Sequence, residues 1–291
     1  MSVVLALLAA LAYGISDFLG GLASRRARAI TVLLYSYPIG TAVMAVPLAF
    51  DAGPVSASTL LWSIGGGAFG LVGVLLMYSA MAIAPLNVVS PITATCTAAV
   101  PVAGGVLIGE RPSVQSWIGV VVGLGAIALV SRAPDPDPEQ HAPAQDRVDV
   151  RAGPRVSTPA VLMALIAGVG FGAYFLCLAG ADSDSGMWPV VLARAAASLL
   201  CVLLVRAMGA PAVLPRSAVR LTLGVGVLDA AANAFFLLAA RSGYLSLAGL
   251  LTSLYPAGTV ALAVVLLRER TGALQRLGFG FAAVAVLLLI R

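Results

Sequence analysis

The chain has 291 residues, of which 60% are hydrophobic and 10% charged, with mean hydropathy +1.03 and formal net charge +5. A soluble globular domain carries about 25% charged residues, so water cannot be the solvent for most of this surface. The apolar runs are continuous rather than alternating, which excludes a closed barrel, and the absence of lysine excludes a Gly-Lys phosphate loop and hence ATP-driven pumping by this chain.

A hydrocarbon core requires about 20 predominantly apolar residues per helix. Ten stretches approach that length: residues 3–22, 30–50, 59–83, 86–108 and 114–131, then 159–181, 187–208, 218–240, 245–267 and 274–290. The predicted fold class is all-α integral membrane with ten transmembrane helices. The first span follows Met1 with no basic segment before it, so it is expected to stay in the mature protein rather than be cleaved as a signal peptide. It carries Tyr13 and Asp17, and the third span carries Tyr78. Pro91 and Pro101 fall in the fourth and Pro256 in the ninth, where lost backbone bonds are expected to interrupt the helices near Thr93, Thr97 and Thr252. Gly119 and Gly123 in the fifth span, with Gly278 and Ala282 in the tenth, form small-residue faces that suit packing within the protomer as well as a homodimer. Cys96, Cys177 and Cys201 all lie inside apolar spans at spacings that suggest neither a metal nor a disulfide framework. No cofactor or metal is expected.

Residues 133–158 interrupt the pattern with Pro134, Pro136, Pro138, Pro143 and Pro154 among scattered charges, and read as a disordered linker that also holds the lone His141. It divides the chain into repeats at 1–132 and 159–291. One constant offset carries Glu110 to Glu269, Arg111 to Arg270, Leu86 to Leu245, Thr93 to Thr252 and Gly119 to Gly278, while Tyr13-Gly14 falls on Phe171-Gly172. Five spans is an odd number, so two fused copies must cross the membrane in opposite directions. Arginines gather in the loops after odd-numbered spans, among them Arg25, Arg26, Arg28, Arg206, Arg216 and Arg220, against Arg111, Arg241 and Arg291 on the other side. That asymmetry predicts a cytoplasmic linker and both termini outside the cell membrane. The net positive charge reads as arginine facing anionic lipid, and no nucleic-acid partner is expected.

The motif Gly109-Glu110-Arg111-Pro112 followed by Gly119 and Gly123, and the run from Leu254-Tyr255-Pro256 to Leu267-Arg268-Glu269-Arg270 with Gly278 after it, resemble EamA-type members of the drug/metabolite transporter superfamily. The resemblance implies a ten-helix carrier whose cavity is lined by helices one, three and four with six, eight and nine, leaving five and ten at the periphery. It implies a secondary transporter, an exporter or exchanger of small metabolites, amino acids or amphipathic compounds. A nucleotide-sugar carrier of the same fold and a non-transporting sensor or assembly protein are the alternatives. An intramembrane enzyme would need paired catalytic groups, and the spans carry none. Many relatives place their basic loop after the second span, whereas Arg25, Arg26 and Arg28 precede it here.

Ionisable groups are costly in hydrocarbon unless they face protein or a wet cavity, which makes Asp17, Arg194 and Asp229 the functional candidates. Asp229 lies mid-span with Asn233 one turn later on the same face, the best candidate substrate contact. Arg194 is expected either to neutralise an aspartate or to hold a substrate carboxylate, with the neutralising role favoured because helix seven is expected to lie off the cavity. An aspartate held neutral by burial could carry a proton between the two sides, coupling transport to the proton gradient; permanent bonding to a neighbouring helix is the alternative. Tyr13, Tyr78, Tyr174 and Tyr255, with Phe18, Phe171, Phe175 and Phe235, are expected to wall the cavity for an amphipathic substrate. Glu110 and Glu269 are expected to fix loops, each as a solvated pair with its neighbouring arginine.

Overall fold

The computed structural model describes residues 1–24, 26–83, 86–130, 158–258 and 272–289, and every regular element among them is helical. In chain order these are α1 (Ser2–Ser24), α2 (Ala29–Val43), α3 (Ala45–Phe50), α4 (Ala57–Ile83), α5 (Leu86–Leu107), α6 (Val114–Val130), α7 (Thr158–Gly180), α8 (Trp188–Ala207), α9 (Arg216–Arg241), α10 (Leu245–Thr252) and α11 (Ala273–Leu289). Among the described residues six spans are long and apolar enough to cross a membrane: α1, α2 with α3, α4, α7, α8 and α9. Residues 92–107, 114–129 and 276–288 form shorter apolar helices. The fold is thus a two-repeat, multi-pass membrane bundle, in which the described residues hold these six long spans with the shorter apolar helices beside them. The predicted linker lies outside the described residues.

Two departures from uninterrupted helices have a shared cause. α2 gives way to α3 at Met44, and α10 ends at Thr252 before the chain turns helical again at Tyr255. Pro47 has no N–H for the carbonyl of Val43, nor Pro256 for that of Thr252, so each proline breaks the ladder one turn before itself. The predicted breaks in the fourth span do not occur, because α5 runs through both Pro91 and Pro101. There the ring of Pro101 packs into the space left by the missing side chain of Gly249 on α10, a neighbour that accommodates it.

Packing interleaves the halves. α1 lies along α9 and α4 along α7; α2 also meets α9, as α8 meets α4; α5 meets α7, as α10 meets α1. The remaining large contacts, α6 with α11, α2 with α8 and α5 with α10, join equivalent helices of the two halves. Exchanging each helix for its counterpart in the other half therefore reproduces the principal packings. Small residues let backbones approach: Gly170 of α7 sits against Phe69 and Gly73 of α4, and Gly226 of α9 against Ser36 and Ile39 of α2. Gly123 of α6 meets Leu250 of α10, so this glycine serves packing within the protomer.

The loops at one end are stitched together by polar contacts. Arg241, at the end of α9, donates to the carbonyls of Gly186 (2.7 Å) and Asp182 (2.9 Å), while the Asp182 carboxylate accepts from Ser56 and Thr59 at the start of α4. At the other end, where α1 meets α2 and α8 meets α9, Arg26 donates to the Ser217 carbonyl at 2.7 Å and Thr31 to that of Pro211 at 2.7 Å. Glu110 fixes its loop differently from the expected ion pair. Gly109, at φ 98°, turns the chain out of α5 so that the Glu110 carboxylate accepts the backbone N–H groups of Leu245 (2.5 Å) and Ser246 (3.1 Å) at the start of α10. A carboxylate there satisfies two orphan donors and faces the positive end of the helix dipole, both stronger attractions than an exposed arginine offers. Glu269 lies outside the described residues.

Candidate functional site

Where the two halves cross, helices from both surround a cavity of about 60 Å³. Its polar centre is built on α8 and α9. Arg194 of α8 is only 3% exposed and pairs through Nη2 with Oδ2 of Asp229 on α9. Tyr37 of α2 presents its ring 5.7 Å from the guanidinium carbon, adding a cation–π attraction. Asn233, one turn beyond Asp229, donates from Nδ2 to the Asp229 carbonyl at 2.6 Å and accepts from the Tyr13 hydroxyl at 2.5 Å. These two bonds fix the amide's orientation and link α1 to α9 through the site. Asp17, one turn beyond Tyr13 on α1, lines the same cavity.

The wall opposite is apolar and aromatic. Phe171, Tyr174 and Phe175 of α7 line it, and Phe175 stacks on Phe236 with ring centroids 4.0 Å apart, which anchors the aromatic face from behind. Gly67 and Gly70 of α4 line it where Ala193 and the Tyr174 ring approach closely, and Tyr255 with Thr97 contributes from the α10 and α5 side. The arrangement offers shape and apolar contact over most of its surface and directional hydrogen bonding at one place, the pattern of a small-molecule site.

Of the residues expected at the site, Tyr13, Asp17, Tyr174, Arg194, Asp229, Asn233 and Tyr255 all line this cavity. Tyr78 does not: its hydroxyl fills the space that a side chain at Gly20 of α1 would occupy, so it packs two helices together. Phe18 and Phe235 are likewise absent from the lining. Sequence reasoning missed Tyr37 and placed the seventh span off the cavity, whereas α2 supplies Tyr37 and α8 supplies Ala193, Arg194 and Ala197. The signal for α8 was its buried arginine, since a guanidinium in an apolar span must meet an acid or a cavity. Among the described residues, α6 and α11 contribute nothing to the lining.

The model of the EamA-like transporter family matches residues 1–132 and 158–291, nearly the whole chain in two copies. The chain belongs to the EamA-like transporter family. As an EamA-like protein it is a multi-pass membrane transporter of the drug/metabolite transporter superfamily, whose members are transporters rather than enzymes. Among solved structures, one titled only as the crystal structure of a protein superimposes with a TM-score of 0.73 at 18% identity, covering 99% of this chain and 97% of that one. At that identity the likeness to this EamA-like chain concerns the fold alone. A comparison with curated proteins finds no match.

Proposed function

We propose that this EamA-like protein is a secondary carrier that exports or exchanges a small amphipathic metabolite through its central cavity. The observation that carries the reading is a charged and hydrogen-bonded cluster, Arg194, Asp229, Asn233 and Tyr13, lining a mostly apolar cavity deep in a membrane bundle. Charge at that depth is costly, and a cavity that solute and water enter in turn repays it. Asp229 and Asn233 are taken as the polar pole of the site, with Tyr13, Tyr174, Tyr255 and Asp17 around them. The mirrored packing of α1 on α9 and α4 on α7 supports inverted repeats that rock about this site. A diphosphate of the nucleotide-sugar type is disfavoured, because the cavity sets two carboxylates against one guanidinium. Among the described residues Asp17 forms no ion pair, which supports it as the proton-carrying group if transport is proton-coupled.

Counterflow in proteoliposomes tests the reading. Vesicles loaded with unlabelled metabolite mixtures are expected to accumulate at least one labelled amphipathic solute, and Asp229→Asn is expected to reduce that flux per folded molecule by tenfold or more. A sensor or assembly protein would bind solute in the same cavity and give no counterflow.

A further inference from the structure

Arg194 has five N–H donors, and the structure gives one of them, on Nη2, to the protein's own acid. Nε and Nη1 are buried and have no hydrogen-bond acceptor, in a side chain 97% withdrawn from solvent that lines the cavity. Buried donors of a charged group are rarely left without acceptors, and a cavity that such a group lines supplies them through what it admits, solute or water. Space is also reserved for the group: Gly40 of α2 lies beside it, where a Cβ would come within 2.7 Å of Nη1.

We infer that Arg194 is the docking point for a carboxylate on the transported molecule, and that Asp229 is the internal competitor for the same guanidinium. The inference rests on the cavity being the substrate site of the proposed carrier. An oxyanion is the acceptor best matched to a guanidinium fork, through short charge-assisted bonds. Asp17 and Asp229 in the same cavity repel a dianion, so the matching group carries a single negative charge. The aromatic face of Phe171, Tyr174 and Phe175 takes the apolar body. With the cavity empty, Asp229 holds the arginine; with cargo bound, the carboxylate shares or takes it. The protein's own acid thereby keeps affinity low enough for release.

One apolar body with three heads tests this: 3-phenylpropionate, 3-phenylpropan-1-ol and 3-phenylpropylamine, titrated against purified full-length protein by calorimetry and thermal melting. The propionate is expected to bind at least tenfold tighter than the alcohol or the amine. Asp229→Asn removes the competitor and is expected to tighten the propionate about tenfold further while slowing its release. If Asp229 instead contacts substrate directly, the same change weakens binding, and the inference falls. Should Asp229→Asn fail to fold without ligand, the charge-neutral double variant Arg194→Gln/Asp229→Asn decides: it is expected to bind all three heads alike, and a retained preference for the propionate overturns the proposal. Equal binding of the three heads by the unaltered protein, preference for the amine, or no binding of the propionate also overturns it. Counterflow separates this result from the carrier reading. A solute that moves while the propionate never binds leaves the carrier standing without the carboxylate site, whereas binding without any counterflow leaves the site and removes the carrier.

Discussion

Arg194 is held at once by an acid on α9, an aromatic ring on α2 and a glycine gap beside that ring, so three helices depend on one side chain. Removing one partner of a buried ion pair leaves the other charge without compensation, at a cost of about 3–5 kcal/mol. Arg194→Ala is therefore expected to lower the melting temperature of the detergent-solubilised protein sharply. The neutral double variant Arg194→Gln/Asp229→Asn is expected to recover more than half of that loss, since neither amide needs a counter-charge. Equal destabilisation by the single and double variants would show that packing, not charge compensation, holds the site. Gly40 makes a second residue-scale case. A side chain there would meet both Nη1 of Arg194 and, at 3.0 Å, the carbonyl of Gly226, which is backbone and cannot swing aside. Gly40→Val is expected to separate α2 from α9 and cost about 1–3 kcal/mol, read as a lower melting temperature.

The short α10 has its start defined by a residue from the other half. Its first two N–H groups are satisfied by Glu110, 135 and 136 residues earlier in the chain. Glu110→Ala is expected to cost about 1–2 kcal/mol, with Glu110→Gln intermediate because an amide oxygen accepts but brings no charge to the helix dipole. Amide exchange at Leu245 and Ser246 is the specific readout: both positions should lose protection in Glu110→Ala, while the exchange of α1 stays unchanged. The repeat motif containing Glu110 was legible in the sequence, and its loop-fixing role with it. Its partner was not, because the adjacent Arg111 is the only candidate that one dimension offers, and Arg111 in fact donates to the Glu110 carbonyl at 3.2 Å. The prolines were legible only in part for a similar reason. Whether a proline breaks a helix or merely bends it depends on what packs against the ring, and Gly249 beside Pro101 comes from another helix.

At the scale of the whole molecule, hydropathy marked where helices lie but not which face each turns inward. A helix that is apolar all round gives no azimuth. Charged and amide side chains supply one, which is why the sequence directs Asp17, Arg194, Asp229 and Asn233 to a cavity, while nothing in it separates Tyr37, which lines the cavity, from Tyr78, which does not. Handedness in the membrane is carried by the arginines alone. With the loops after odd-numbered spans holding Arg26, Arg28, Arg206, Arg216 and Arg220, the positive-inside rule predicts that end in the cytoplasm. The end where Arg241 reaches across to Asp182 and Gly186 is then expected to face outward. An even number of crossings would return the C-terminus to the side on which the chain began, so both termini are expected outside. A C-terminal reporter fusion active only outside the cytoplasm should therefore give signal, and its cytoplasmic counterpart should not. Replacing Arg26, Arg28, Arg216 and Arg220 with glutamine is expected to produce a mixed population, because those residues supply much of the short-loop asymmetry. A cytoplasmic C-terminus in the unaltered chain would mean that the first crossing, rather than the summed arginines, sets the orientation, or that the number of crossings is odd; a second reporter at the N-terminus separates the two.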